Sequence, residues 1–367
     1  MSEKIRVCVI GSTGRGDYGH GIDTVWKEVP ETTVVAVADD NPAGREAAMK
    51  RLGVDQGYAD YRHMIEKERP TIVALGPRWI DQHHAMLLHC VERGIHVYME
   101  KPFCRTLAEA DSLVKACEAT HARVAIAHQT RYCPIIPVVK KMIADDLLGT
   151  ILEIRARGKE DVRGGAEDLW VLGSHMLNLM QTFVGEPRSC FASVWQGGRK
   201  ATKGDVVDGK EGLGPLAGDY VQAQYAFDQG VTGYFASKKG MGGNPSRFAI
   251  QIYGSKGVID YPSGYLPTVG FLADPGWAPG RANSSWKRVT SQGVDKLETL
   301  PGGNAQGNVI AVRDLLAAIQ EHREPLCNVY EGRQTVEMIL GVFESHRQGK
   351  PVALPLESRE KHPLSLL

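Results

Sequence analysis

From residue 4 to about residue 130, short apolar runs alternate with stretches whose apolar positions recur every three or four residues. KIRVCVI, TTVVAVAD, TIVALG, HVYME and RVAIAHQ read as strands, and NPAGREAAMKRLG, DQHHAMLLHCVERG and TLAEADSLVKACEATHA read as helices. This alternation predicts a doubly wound parallel sheet covered by helices on both faces. After RYCP the pattern changes. ILEIRARG alternates strictly, with Leu152, Ile154 and Ala156 on one side and charged residues on the other, and SCFASVW, YVQAQYAF, VTGYFAS, FAIQIYG and GVIDY follow as further strands. The second half therefore predicts an open, mainly antiparallel sheet with a helix over residues 167–184 packed on it, so the fold class is α/β followed by α+β. Residues 262–306, rich in Pro, Gly, Ser and Asn, read as a long surface excursion. Two helices close the chain, one carrying Val309, Val312, Leu316 and Ile319, the other Val336, Ile339, Leu340 and Phe343. Two domains are predicted, 1–131 and 132–367.

Composition narrows the partners. The 367 residues are 43% hydrophobic, enough for two cores, and 43 basic residues balance 43 acidic ones. That balance argues against nucleic acid or an anionic membrane and favours a small neutral or weakly charged ligand. The first residues enter a strand pattern without the features of a secretory signal, and no run reaches the length of a membrane span. The seven cysteines are odd in number and form no C-x-x-C, which predicts reduced, buried thiols in a cytoplasmic protein and no zinc site. His83, His84 and His89 share one predicted helix, where packing and solvent contact account for them; no metal is expected.

The first strand runs into GSTGRGDYGHG. Gly11, Gly14 and Gly16 at a strand-to-helix turn would let a pyrophosphate approach the amides of a helix N-terminus, with Thr13 in the middle glycine position of the usual G-x-G-x-x-G; a plain glycine-rich turn is the alternative. Asp39, closing the second strand, can accept hydrogen bonds from ribose hydroxyls, or it is a solvated strand end. Asp40 adds a charge that would repel a 2′-phosphate, so NAD is favoured over NADP, with Arg45 keeping NADP open. Lys101 follows the fifth strand at its carboxyl end, where such sheets bind ligands, and Pro102 restricts the backbone beside it. Facing an oxidised nicotinamide, this lysine would have a lowered pKa and could exchange a proton with a hydroxyl.

Within LWVLGSHMLN, His175 lies beside an apolar helical stripe made by Leu169, Leu172, Met176, Leu179 and Phe183. By itself that is the place of a core histidine. The segment GKEDVRGGAEDLW before it is dense in charge: Asp168 can cap the helix or reach the chemistry, and Arg163, Asp168 and Trp170 can contact a polyol, the tryptophan by stacking, or belong to an ordinary charged loop.

EKP at residues 100–102, QTRYCP at 129–134, the G-S-H helix and the ending GKPVALPL together resemble the Gfo/Idh/MocA family, the glucose-fructose oxidoreductase and inositol dehydrogenase group, over residues 4 to about 355. The resemblance implies an NAD-binding Rossmann domain, then a substrate-binding and oligomerisation domain whose open sheet forms a homodimer or homotetramer, with the active site between them. It implies oxidation or reduction of a secondary alcohol on a sugar, sugar acid or cyclitol. Glu100, Lys101 and Pro102 match the family's E-K-P, whose lysine assists catalysis and cofactor contact; Pro77 and His83 match positions lining the nicotinamide side. Gln129 stands where the family often has asparagine, before Arg131. His175 matches the histidine of the family's D-x-G-x-H-x-x-D helix, which implies that it takes or gives the hydroxyl proton.

The same helix departs from the pattern. Val171 and Asn178 replace the two aspartates, and a valine cannot orient an imidazole or raise its basicity. Three readings follow: a net NAD-dependent dehydrogenase; an enzyme that retains NAD and oxidises its substrate only transiently, as an epimerase, lyase or glycoside-cleaving enzyme would; or a dinucleotide-binding sensor without catalysis.

Overall fold

The computed structural model describes residues 4–303 and 305–367. The chain divides into two compact units. The first holds a six-stranded sheet in which β1 (Ile5–Ile10), β2 (Thr32–Ala38), β3 (Gly57–Tyr58), β4 (Ile72–Leu75), β5 (His96–Met99) and β6 (Val124–Ile126) lie in the order β3-β2-β1-β4-β5-β6, every pairing parallel. Its central strands are apolar without alternation because both faces are covered: Val7 to Ile10 and all of β4 are buried. The helices begin and end where local chemistry dictates. In α1 (Pro42–Leu52), Asn41 accepts from the amide of Gly44 at 2.9 Å, Pro42 occupies the first turn and Gly53 closes the helix at φ 74°. After α2 (Tyr61–Glu68) and α3 (His83–Val91), α4 (Leu107–Thr120) starts with a reciprocal Thr106–Glu109 capping box.

The second unit contains α5 (Ile135–Ala144), β7 (Ile151–Arg157), α6 (Ala166–Val171), α7 (Gly173–Val184), β8 (Ser189–Gln196) and an eleven-stranded sheet. In β7 the expected alternation holds for Ile154 and Ala156, both buried, while Leu152 at the strand's start is 41% exposed. Among the described residues, β7 pairs parallel with Thr232–Lys238 and the other pairings of this sheet are antiparallel.

Three sequence expectations change. The helix expected over 167–184 is two helices broken at Leu172, and a Cβ on Gly173 would lie 2.7 Å from the ring of Phe235, so α7 starts where the chain passes close to a strand. The stretch 262–306 is more than a surface excursion: Val269–Leu272, Lys287–Thr290 and Gly293–Val294 extend the large sheet, burying Val269, Phe271, Leu272 and Val289, while Asn304 lies outside the described residues. The boundary is also not a single cut at residue 131, since the first unit takes in Met1–His128 together with Gly209–Gly214 and Ala305–Val336. The helix Ala305–Gln320 belongs there because Asn308 accepts from the buried Tyr98 hydroxyl at 2.8 Å and donates to the His20 carbonyl at 2.7 Å, and because the Cys327 carbonyl accepts from the amide of Ile126 at 2.9 Å. An amphipathic pattern announces a helix without saying which core it joins.

Candidate active site

The glycine-rich stretch after β1 does not lead into an α-helix. Residues 12–24 run as consecutive turns and reach only a four-residue 3-10 helix, Val25–Glu28. Gly14, Gly16, Gly19 and Gly21 have φ of 84°, 88°, 68° and 81°, and Asp17 has 54°, so a right-handed helix cannot pass through them. This corrects the expected helix N-terminus at the pyrophosphate position. The turn closes on itself instead: the Asp17 carboxylate accepts from the amide of Gly14 at 2.9 Å, and Ser12 and Asp17 exchange backbone bonds at 3.0 Å. Gly16 is required by a close approach, because a Cβ there would lie 2.4 Å from the amide nitrogen of Arg78; Gly14 faces open space.

Asp39 is also placed differently from the expectation. Only 1% exposed, its carboxylate accepts from the Thr13 hydroxyl at 2.6 Å, the Thr13 amide at 3.2 Å, the Tyr18 hydroxyl at 2.8 Å and the Asn41 amide at 3.0 Å. It is a strut for the glycine-rich turn, and burial together with this bond raises the pKa of Tyr18. Arg45 donates to the Asp39 carbonyl at 2.7 Å. The exposed acid at this strand end is Asp40. A cavity of about 390 Å³ opens here, lined by Gly11, Ser12, Asp39 and Asp40 from the ends of β1 and β2 and by Tyr61, Arg62, Gln82 and Met86. That size lies within the roughly 300–1,000 Å³ of small-molecule sites, and its position outside the carboxyl ends of adjacent strands suits the nucleoside half of a dinucleotide. The residues present fit NAD in this half.

At the end of β5, Glu100 is 1% exposed. One oxygen accepts from the amide and the ring Nδ1 of His20, at 2.8 and 2.7 Å, and the other from the amide of Lys101 at 3.0 Å. Burial pushes its pKa up, but the His20 hydrogen bond and the Lys101 charge outweigh burial and hold it below the ordinary value. Glu100 is thus an anchor for the loop at His20, a contact the sequence reading missed although His20 stands inside the glycine run. Lys101 is itself 8% exposed, and the Lys101–Pro102 peptide is cis. His83 is fully buried, with Nδ1 2.7 Å from the Pro102 carbonyl and Nε2 2.7 Å from that of Pro77. Burial lowers its pKa against the pull of both carbonyls. His83 and Pro77 therefore tie the ends of β4 and β5 together.

In the second unit His175 is half-buried in the first turn of α7, its ring perpendicular to that of Phe248 with centroids 6.5 Å apart. Gln129 heads the 3-10 helix Gln129–Tyr132 in this unit. Asp168 and Trp170 are both 0% exposed. Trp170 therefore offers no stacking face, and Asp168 accepts from the amide of Glu160 at 3.0 Å and the hydroxyl of Ser237 at 2.5 Å, holding the loop before α6. Arg163 pairs with Asp161 at 2.6 Å. Both corrections have one cause: α6 turns its third and fifth residues into the core. All seven cysteines are buried, and burial pushes the Cys8 thiol up to about 12, which leaves no thiolate nucleophile there.

Family models match both parts of the chain: an oxidoreductase family NAD-binding Rossmann fold over residues 5–128 and the family's C-terminal alpha/beta domain over 140–354. The chain belongs to the Gfo/Idh/MocA oxidoreductase family. It is an oxidoreductase with an NAD-binding Rossmann domain. Levoglucosan dehydrogenase of Pseudarthrobacter phenanthrenivorans is 22% identical over 87% of this chain and 89% of its own. The NADP+-dependent scyllo-inositol 2-dehydrogenase of Bacillus subtilis is 24% identical over 96% of each chain. Among solved structures, a levoglucosan dehydrogenase in complex with NADH and levoglucosan aligns with a TM-score of 0.78 at 19% identity, over 96% of this chain and all of that one, a likeness of fold. Among the described residues no group of three or more His, Cys, Asp or Glu gathers as a metal site, and no helix is long and apolar enough to cross a membrane.

Proposed function

We propose that this oxidoreductase acts on a secondary alcohol of a sugar, sugar acid or cyclitol, with NAD as the acceptor. The observation that carries the reading is Lys101, a lysine buried at the carboxyl end of β5 with the ionised Glu100 beside it, in a chain of this family. Relatives named for levoglucosan and scyllo-inositol support the substrate class. NAD, when bound, supplies a two-electron acceptor at its nicotinamide. The chain's part is the proton: His175 accepts it from the substrate hydroxyl as the carbinol becomes a carbonyl, and Lys101 assists. Gly11, Thr13, Gly14 and Gly16 shape the cofactor loop. Asp40, in place of Asp39, carries the preference for NAD, since Asp39 has no capacity left for a ribose while Asp40 is exposed on the cavity wall. In this reading the second unit takes the substrate and forms a homodimer or homotetramer through its sheet, where Phe191 and Tyr234 are 47% and 38% exposed; the assembly operates in the cytoplasm.

A second reading has a specific support. No residue of α7 is an acid, so the carboxylate that would raise the basicity of His175 is missing from its helix. This favours an enzyme that retains its NADH and returns the hydride after elimination, epimerisation or glycoside cleavage. One experiment separates the two: the purified protein is incubated with NAD and a panel of sugars, sugar acids and cyclitols, following NADH absorbance and substrate mass together. NADH with a two-hydrogen mass loss supports the net dehydrogenase. Conversion without NADH supports the second reading, and NADH binding without any conversion would overturn both.

A further inference from the structure

The turn after β7 contains a buried acid for which the cofactor has no use. Glu160 is 0% exposed and sits at φ 59°, the left-handed region that favours glycine. Its Oε1 accepts from Arg157 at 2.5 Å and from the amide of Lys238 at 2.9 Å, and its Oε2 pairs with Arg247 at 2.9 Å. Its carbonyl accepts from the amide of Gly242 at 2.7 Å. One residue thus grips the beginning, middle and end of the segment 238–247, which has three glycines and a proline and no strand or helix between Lys238 and Ala249. Within the segment the Met241 amide donates to the Lys238 carbonyl at 3.2 Å and Arg247 to the Met241 carbonyl at 2.5 Å, and from outside the Asp161 and Asp219 carbonyls accept from the amides of Gly240 and Lys239 at 3.0 and 2.8 Å, so the Glu160 contacts complete a scaffold of single bonds with no ladder behind it.

The next residue is Phe248. Its amide donates to the Ser246 hydroxyl at 3.2 Å and its carbonyl accepts from the amide of Ser263 at 3.0 Å, so its backbone is fixed on both sides. Its ring stands at 78° to that of His175. Perpendicular aromatic pairs at this separation favour one another's orientation. Only the Glu160 end of these ion pairs is buried, the Arg157 and Arg247 side chains being 38% and 55% exposed, so a carboxylate withdrawn from water is held in one place by two partners that reach it from the surface.

We propose that Glu160 and Phe248 position His175: Glu160 fixes the 238–247 segment through Arg247 and the backbone, the segment fixes Phe248, and the perpendicular ring holds the imidazole in one orientation. Both are positioning residues, and the functional weight of the proposal rests on the reading of His175 as the proton acceptor.

The test uses the full chain with NAD added and nitrogen-15 in its histidine rings, with His175→Ala identifying the His175 signals among the twelve histidines. In the wild type a His175 ring held in one orientation should keep the same nitrogen towards the same hydrogen-bond partner, and so report one tautomer. Phe248→Leu, which keeps an apolar side chain, should give averaged nitrogen shifts, and Phe248→Tyr should restore the wild-type pattern. The deciding variants are Glu160→Gln and Arg247→Met, which are changes at the anchor rather than at the ring. Averaged His175 shifts in either one, with folded protein and unchanged NADH affinity, are the expected result. Wild-type shifts in both overturn the proposal. On any alcohol the enzyme oxidises, Phe248→Leu should lower kcat roughly ten- to a hundredfold with little change in KM. If His175→Ala still turns over while the shifts respond as expected, the positioning stands and the proton-acceptor role of His175 is what fails.

Discussion

Glu100 in the first unit and Glu160 in the second are both buried acids beside glycine-containing loops, yet they do different work. Glu100 stands at the end of a strand buried on both faces, where the parallel ladder already sets the position of Lys101, and its carboxylate reaches back to His20 to tie down a turn. Glu160 stands in a turn, and its ion pairs to Arg157 and Arg247 define a segment that no ladder supports. Asp39 and Asp168 repeat the contrast, the first anchoring Thr13 and Tyr18 from a strand end, the second anchoring Glu160 and Ser237 from a short helix. A buried carboxylate next to flexible backbone is consumed by that backbone, because every unpaired amide there must find an acceptor. The proposed function assigns the chemistry to their neighbours in sequence, Asp40 after Asp39 and Lys101 after Glu100.

The strongest test of this division is to remove the chemical groups. His175→Ala and Lys101→Met should each lower turnover by about 10²–10⁴-fold, while His175→Ala leaves the NADH affinity measured by fluorescence titration unchanged. Wild-type rates in both would end the assignment. Next in size is Trp170→Ala, which should cost about 3–5 kcal/mol of stability in denaturant unfolding, as expected for a large core side chain. Trp170→Phe should keep most of that stability and leave substrate KM alone, whereas a raised KM with full stability would restore the stacking role.

Asp39→Asn and Asp40→Ala should separate strut from reader. The first should lose about 1–3 kcal/mol, the cost of disturbing a buried hydrogen-bonded group. The second should leave the melting temperature unchanged and move the ratio of NADH to NADPH affinity roughly tenfold towards NADPH, the size of one charge-assisted hydrogen bond. An unchanged ratio for Asp40→Ala would return the ribose to other residues.

The smallest effects are in the acid range, and they have opposite signs. Hydrogen bonding to Arg163 holds Asp161 at about 2, below its ordinary 3.8, so its contribution to stability is present above 3.8 and is lost as pH falls towards 2. Burial raises Asp168 above 3.8, so its contribution is present below that value and is lost as pH rises through the raised one. Melting curves against pH should therefore show the cost of Asp161→Asn vanishing towards pH 2, and the cost of Asp168→Asn shrinking as pH rises. The same pH trend in both variants would contradict the opposed environments.

Periodicity was enough to place the strands β1, β2, β4, β5 and β6 and the helices α1, α3 and α4, because in a sheet covered on both faces an apolar run of the right length has one use. Local chemistry did the same for the caps at Asn41 and Thr106. The motif EKP located Lys101, and G-S-H located His175, since these are statements about residues at chain positions. Tertiary structure decided the rest. That the glycine run coils into turns depends on four positive φ angles that a glycine permits but does not require. That Asp39, Glu100 and Asp168 are anchors depends on Tyr18, His20 and Ser237, partners 21, 80 and 69 residues away. That Trp170 is core and Phe248 meets His175 depends on which way a helix and a loop turn once packed. A sequence fixes what each residue can do within a few positions of itself, while a buried polar group is defined by the long-range partner that saturates it, and that partner is set only when the chain closes.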